Sequence, residues 1–232
     1  MMRFFERIFF PWDVCCVYCR DEHVYKYGFC RRCLESLPDL EGERCSICLD
    51  RINTHGLCAA CLKEAPDYER LFSPKIYSGI IKDLIHAFKF NNARYLKYPL
   101  ALLMRDALPA DIAEKTDVIV PLASSKRRIK EYGYNQAMLL AKEISALINK
   151  PVFDILQKSS GGSNMYLLNK EERRKNIKGL YSANGTLSGE TVLLVDDICT
   201  TGETLRAVSH ILKKAGAGKI YALTAARDDI KF

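Results

Sequence analysis

The order of apolar and polar positions divides the later part of the chain into alternating helices and strands. Apolar residues recur at helical spacing in three segments, 80–88, 96–104 and 137–148. Short apolar runs predict four strands, at 117–121, 152–156, 191–195 and 219–225. Helices that alternate with fully apolar strands are typical of a parallel sheet covered on both faces. The pattern therefore predicts an α/β fold with a doubly wound parallel sheet over residues 67–232.

The first 66 residues follow a different pattern, in which cysteine dominates. Nine of the ten cysteines lie between Cys15 and Cys61. Eight of them form four C-x-x-C pairs: Cys16/Cys19, Cys30/Cys33, Cys45/Cys48 and Cys58/Cys61. Two such pairs complete a tetrahedral Cys₄ zinc site. We therefore predict two structural zinc ions in residues 1–66, and a linker at residues 63–68.

The short intervals between the pairs favour sharing of one zinc by the first two pairs and of another by the last two. An interleaved arrangement is the alternative. A disulfide framework competes with zinc, but the N-terminus lacks a secretion signal and the following domain is of an intracellular type. The compact cysteine spacing of an iron–sulfur cluster is absent. Because so small a segment buries little apolar surface, we expect metal binding to supply its folding energy.

Charge and hydropathy limit the class of protein. The chain has 232 residues and a net charge of +7; residues 1–66 carry 9 Lys and Arg against 10 Asp and Glu, and the rest carries 26 against 18. A basic C-terminal part favours an anionic partner, such as a nucleotide, a sugar phosphate or a nucleic acid. No apolar run is long enough for a membrane span, and a cytoplasmic protein is expected.

One segment, residues 192–204 with the sequence VLLVDDICTTGET, carries the clearest chemistry. Its apolar start predicts a buried strand, and the pattern after it predicts a helix, so the polar residues between them lie at the carboxyl edge of the sheet. Backbone N–H groups at such a turn bind phosphate, and carboxylates bind ribose hydroxyls and Mg²⁺. The candidate site residues are Asp196, Asp197, Ile198, Cys199, Thr200, Thr201, Gly202, Glu203 and Thr204.

A second polar segment follows the strand at residues 117–121 and faces the same edge. It offers hydroxyls and cations for a pyrophosphate from Ser124, Ser125, Lys126, Arg127 and Arg128, which we place on a loop. Residues 160–176 combine glycines with a charged run and predict a loop that closes over the site.

The cysteine pairs, a helix with Lys89, and the sequences DVIVP, GYNQA, ERRKN and VLLVDDICTTGET occur in that order, and together they resemble the ComF family of competence proteins. The resemblance spans nearly the whole chain. It implies a double zinc ribbon joined to a type I phosphoribosyltransferase-like domain. It also implies binding of 5-phosphoribosyl-1-pyrophosphate (PRPP) with Mg²⁺, and a role in DNA uptake beside a competence helicase.

Two functions follow from these features. The first is a PRPP-binding protein in which Asp196 and Asp197 are the catalytic pair of a phosphoribosyl transfer; the sequence indicates no acceptor and leaves turnover open. The second is a non-catalytic adaptor that binds single-stranded DNA and a helicase and keeps the fold as a scaffold. The adaptor function predicts salt-dependent binding of DNA through the basic residues, and this binding distinguishes it from the first function.

Overall fold

The computed structural model describes residues 14–53, 55–159 and 179–229. The helices are α1 (Arg31–Glu35), α2 (Ala59–Lys63), α3 (Gly79–Phe90), α4 (Lys97–Ala107), α5 (Ala110–Lys115), α6 (Lys126–Tyr132), α7 (Gln136–Ile148) and α8 (Glu203–Lys214). The strands are β1 (Arg70–Phe72), β2 (Val118–Pro121), β3 (Leu156–Lys158), β4 (Tyr181–Ala183), β5 (Val192–Cys199) and β6 (Ile220–Arg227). Within these ranges no helix combines the length and apolarity needed to cross a membrane.

The central sheet has four parallel strands in the order β1-β6-β5-β2. Its middle strands are apolar on both faces, as parallel strands covered by helices must be. β5 pairs with β2 from Val118 opposite Val192, and with β6 as far as Cys199 opposite Arg227. The parallel, doubly wound prediction is confirmed.

Two apolar cores lie on opposite faces of this sheet. Alternate residues of β5 enter different cores: Leu193 and Val195 pack with α3, α4 and α7, whereas Val192 and Leu194 pack with α8. The first group of cysteines belongs to the former core and the second group to the latter. The N-terminal segment therefore places one cysteine cluster on each side of the sheet.

The structure corrects one strand prediction and adds a strand that was not predicted. Residues 152–156 do not form a strand of the sheet: Val152 makes a single parallel bridge to Ile119, and β3 begins at Leu156 and pairs antiparallel with β4. β1 joins the sheet edge beside β6, although its three residues carry no periodicity that identifies them in the sequence.

Candidate functional site

The acid pair lies inside β5 rather than in the loop after it. Hydrogen bonding with β6 continues through Asp196, opposite Thr224, to Cys199. The prediction that the strand ends at Val195 is therefore wrong, because backbone pairing continues after the apolar side chains stop. The turn is confined to residues 200–202, and α8 begins at Glu203.

The two carboxylates have different neighbours. Asp197 pairs with Lys89, whose Nζ lies 2.9 Å from Oδ1. Both side chains are largely buried, with 12% of the Asp197 side chain and 21% of the Lys89 side chain exposed. Lys89 is in the last turn of α3, and its carbonyl accepts a hydrogen bond from the Gln136 side chain. Asp197 and Lys89 therefore form a largely buried ion pair.

Asp196 has a different environment, formed by the β3–β4 hairpin. Lys158 and Tyr181 are register partners across that hairpin, and the Lys158 ammonium lies 4.7 Å from the centre of the Tyr181 ring. Burial lowers the pKa of Lys158, and the nearby Arg128 guanidinium lowers it further. Burial and the Asp196 charge raise the pKa of Tyr181. Lys158 and Arg128 therefore supply positive charge close to the Asp196 carboxylate.

Two carboxylates that adjoin in a partly buried strand disfavour each other's ionisation. Burial and the Asp197 charge raise the pKa of Asp196 to about 7, although Lys89 and the Asp197 backbone N–H, 2.8 Å from Oδ1, oppose the shift. A hard divalent cation would relieve this repulsion through carboxylate oxygens, the ligands that Mg²⁺ prefers. The acid pair could therefore hold Mg²⁺, and such a perturbed carboxyl is typical of functional sites.

The raised pKa of Asp196 predicts a pH-dependent effect on stability. An unfolded Asp titrates near pH 4, so the folded state binds the extra proton from about pH 4 to about pH 7, and stability falls as the pH rises through that window. The variant Asp196→Asn has no carboxyl group to titrate at this position, so it should not show this fall in stability. Between pH 5 and pH 8 in Mg²⁺-free buffer, we expect wild type to lose on the order of 2 kcal/mol more stability than the variant, measured by thermal unfolding. Asp154→Asn, an exposed position, is the control; an equal pH dependence in wild type and Asp196→Asn would contradict the prediction.

The turn after β5 presents hydroxyls and backbone N–H groups to the same edge. Thr200 and Thr201 are exposed, and the Glu203 N–H donates to Thr201 Oγ1 at 3.4 Å. Gly202 has φ = 76° and is the N-cap of α8, a left-handed conformation that glycine adopts without strain. The first N–H groups of α8, beginning with Glu203 and Thr204, have no carbonyl partner within the helix. This arrangement suits a phosphate group.

The remaining predicted residues of this segment lie at the end of β5. Cys199 is buried there, and Ile198 is partly buried against the core that contains α3. Residues 200–204 form the turn and the helix start that the sequence predicts, and phosphate binding by this segment stays a prediction.

The basic residues after β2 lie on a helix, not on the predicted loop. Ser125 is the N-cap of α6, and its hydroxyl accepts from the Arg128 N–H at 3.3 Å. Lys126, Arg127 and Arg128 form the first turn and are exposed. The other hydroxyl, that of Ser124, donates to Asn135 Oδ1 at 3.2 Å, so both serines already have partners. Arg128 lies near the acid pair, since its charge acts on Lys158 and Tyr181.

The cysteine pairs assemble as the spacing predicts. Cys16, Cys19, Cys30 and Cys33 form one group and Cys45, Cys48, Cys58 and Cys61 the other, each with all sulfurs within 4.8 Å of one another. The interleaved arrangement is wrong, and all ten cysteines are free thiols. Zn–S bonds of about 2.3 Å would place tetrahedral sulfurs about 3.8 Å apart. The Sγ separations of 3.8 Å for Cys19/Cys30 and 3.6 Å for Cys48/Cys58 fit such an ion, so each group could hold zinc.

The two groups share one local geometry. In each, the first cysteine carbonyl accepts from the N–H four residues later, and that later residue, Arg20 or Leu49, has φ = 61°. The third cysteine of each group, Cys30 or Cys58, is the N-cap of a five-residue helix. The exposed Cys15 belongs to neither group. The duplication seen in the sequence is therefore a repeat of one cysteine-rich unit that could hold a metal ion.

Sequence reasoning did not identify Lys158 and Tyr181, and it noted Lys89 only within a family motif. Each reaches the acid pair through tertiary packing from a distant element, so spacing along the chain gives no signal for it. The predicted closing loop at residues 160–176 lies outside the described residues.

Comparisons with known proteins agree with this geometry. Residues 109–231, which include β2, β5 and β6, match the family model described as the phosphoribosyl transferase domain. The chain is 29% identical over 222 residues to Competence protein F of Haemophilus influenzae, covering 91% of this chain and 96% of that protein. It is 25% identical to DNA utilization protein YhgH of Escherichia coli (66% and 70% covered) and 26% identical to Competence protein ComFC of Bacillus subtilis (65% and 61% covered).

Proposed function

Because the chain belongs to the phosphoribosyl transferase domain family, we propose that it binds PRPP together with Mg²⁺ at the carboxyl edge of its parallel sheet. One observation carries the proposal. The acid pair, the threonine turn and the N-terminus of α8 follow one another at the end of a central strand, where α/β sheets bind ligands. Carboxylates can accept hydrogen bonds from the ribose hydroxyls of PRPP, and the N–H groups and hydroxyls of the turn can donate to its 5-phosphate.

The contacts of the acid pair suggest different roles for Asp196 and Asp197 in ligand binding. Lys89 already neutralises Asp197, which makes Asp197 a fixed acceptor with little capacity for a second cation. Within the described residues Asp196 forms no ion pair of this kind, and its pKa is raised, so it is the better acceptor for ribose hydroxyls and, directly or through water, for Mg²⁺. Residues 200–204 would bind the 5-phosphate with N–H and hydroxyl donors.

The pyrophosphate end would lie toward α6 and the hairpin. Lys158 and Arg128 provide positive charge near Asp196, and Lys126 and Arg127 extend that charge along the first turn of α6. Ser124 and Ser125 would contribute their remaining hydrogen-bonding capacity.

Phosphoribosyl transfer to an acceptor would break the bond from the anomeric carbon to the pyrophosphate oxygen and form a bond from that carbon to the incoming nucleophile. Both bond changes pass through an oxocarbenium-like state. Mg²⁺, when bound, supplies charge neutralisation at the departing pyrophosphate. The protein's own contribution would be positioning by Asp196 and the turn, and cationic stabilisation by Lys158 and Arg128.

We further propose a role in the handling of incoming DNA, since relatives along most of the chain are named for competence and DNA utilization. The partners that this role implies are single-stranded DNA and a competence helicase. Two zinc ions in the cysteine groups and a reducing cytosol complete the proposal. The non-catalytic adaptor is the less favoured alternative, because the acid pair, the threonine turn and the N-terminus of α8 lie together at the end of β5.

Isothermal titration calorimetry tests the proposal. PRPP should bind with a stoichiometry near one in the presence of Mg²⁺, and substantially more weakly when Mg²⁺ is omitted. Ribose 5-phosphate, which retains the 5-phosphate and lacks the pyrophosphate, should bind weakly under both conditions. Absence of heat with PRPP and Mg²⁺, in protein that retains its secondary structure by circular dichroism, would exclude PRPP as the ligand.

A salt titration separates pyrophosphate from DNA as the occupant of α6. Replacing Lys126, Arg127 and Arg128 by glutamine removes three cations. If single-stranded DNA contacts all three, the slope of log K against log salt should fall by about 2, at about 0.7 per phosphate. If pyrophosphate is the occupant, PRPP affinity should fall while the DNA slope stays constant. A variant in which neither quantity changes would remove α6 from the site.

The matched control neutralises three exposed lysines at the opposite edge of the sheet. Lys115, Lys214 and Lys219 lie where helices end or strands begin. Their replacement by glutamine lowers the net charge by the same three units as the α6 variant does. It should change the DNA salt slope and the PRPP affinity much less than the α6 variant does.

A further inference from the structure

Arg227, the last residue of β6, is a buried cation with an unusual set of partners. Its side chain is 2% exposed, and its guanidinium donates to the carbonyls of Cys199 at 3.1 Å and of Thr200. The same group donates to the carbonyl of Cys48 at 3.1 Å and to Asp50 Oδ1 at 2.8 Å. One side chain thus joins the threonine turn to the second cysteine group.

Two other side chains connect the same parts of the molecule. Arg206, in the first turns of α8, donates to Cys61 Sγ at 3.0 Å and to the Glu64 carbonyl at 2.6 Å. Tyr68 is 2% exposed, and its hydroxyl would lie 3.9 Å from a Cβ built on Gly202. That hydroxyl finds no hydrogen-bond partner within the described part of the chain. The second cysteine group therefore packs directly beneath the turn.

The first cysteine group contacts other elements. Tyr18 donates to Asp83 of α3 at 3.1 Å, and Tyr27 donates to Asp106 of α4. These contacts lie on the other face of the sheet, in the core that holds α3 and α4. The two metal-binding units are alike in local structure but differ in what they support.

The Arg227 contacts determine the direction in which the N–H groups of the turn point. In a trans peptide the C=O of one residue and the N–H of the next point in opposite directions. Because Arg227 draws the Cys199 and Thr200 carbonyls toward the buried side, the N–H groups of Thr200 and Thr201 must face the open side, where a phosphate would bind. The Asp228 N–H also donates to the Cys199 carbonyl, at 2.8 Å, whereas the Thr200 carbonyl is oriented by the charged Arg227 donor.

We propose that Arg227 is a positioning residue for the threonine turn, and that the second cysteine group sets the shape of the turn through Arg227 and Asp50. This inference rests on the proposed function for its ligand, PRPP. The claim that Arg227 orients the turn does not depend on any ligand.

Asp50→Asn is the first test, because it weakens the anchor of Arg227 without removing a buried side chain. We expect hydrogen–deuterium exchange of ligand-free protein to accelerate at residues 199–204 and PRPP affinity with Mg²⁺ to fall about tenfold. Exchange in β2 and α7, and a zinc content of two, should stay at wild-type values.

Asp229→Asn is the matched control. Asp229 pairs with Arg44, another arginine of the cysteine-rich segment, and both Asp50 and Asp229 side chains are 28% exposed. Among the described residues the Arg44 pair makes no hydrogen bond to the turn, so this variant should leave exchange at 199–204 and PRPP affinity close to wild-type values. Equal effects of the two substitutions, or no effect of Asp50→Asn, would overturn the proposal.

Arg227→Lys and Arg227→Met add a rescue test. Lysine keeps the charge but lacks the planar fork, so it should restore part of the exchange protection that methionine loses. Equal exchange in the two variants would overturn the positioning role of the guanidinium. If wild type binds no PRPP, the proposed function fails, and the exchange measurements alone still decide whether Arg227 orients the turn.

Discussion

Replacing Asp196 and Asp197 together by asparagine should reduce Mg²⁺-dependent PRPP affinity at least about 100-fold, because ribose and metal contacts are lost at once. The fold should persist. Asparagine keeps the size of each side chain, and removal of the two carboxylates relieves the burial penalty and the repulsion that raise the pKa of Asp196. Calorimetry with PRPP and Mg²⁺, beside circular dichroism and zinc analysis, measures both parts of the prediction.

The control for this pair is Asp111→Asn with Glu114→Gln, two exposed acids on α5 at the opposite edge of the sheet. It removes the same charge and should bind PRPP as wild type does. Wild-type affinity in the Asp196/Asp197 variant would remove PRPP from the account of this site.

Removal of zinc should have the largest effect on stability. We expect two zinc ions per chain after anaerobic purification, and unfolding of the cysteine-rich segment when a chelator extracts them. Structural zinc in small modules contributes on the order of 10 kcal/mol per site at neutral pH. Elemental analysis and thermal unfolding with and without chelator provide the measurement.

Single substitutions distinguish the two groups. Cys30→Ser and Cys58→Ser occupy equivalent positions in the repeated unit, and each should lower the zinc content from two to one. Cys15→Ser, at the exposed cysteine outside both groups, should leave it at two. A metal content near zero in wild type, or cysteines recovered as disulfides, would contradict the zinc assignment.

The features that the sequence predicts well depend on local pattern. Each C-x-x-C pair occupies one turn, and the following pair is near enough to reach it, so the membership of both cysteine groups follows from spacing. The apolar start of β5 and the threonine turn are also legible, because a buried strand and a helix N-terminus each need particular residues at particular positions.

The features that escaped prediction depend on tertiary packing. α6 has no buried residue, so no apolar periodicity marks it as a helix, although Ser125 is a suitable N-cap. Arg227 looks like an ordinary charged residue after an apolar strand. Its burial depends on carbonyls from β5 and a carboxylate from the cysteine-rich segment, about 180 positions earlier in the chain.

The position of β6 between β1 and β5 governs when the protein can finish folding during synthesis. β6 is the last described strand to leave the ribosome, and it pairs with β1, whose residues are made about 150 positions earlier. Until then β1 has no partner in the sheet and one edge of β5 stays open. Such unpaired edges template association with other chains. A nascent chain therefore remains vulnerable to aggregation until β6 has been made and has paired with β1 and β5.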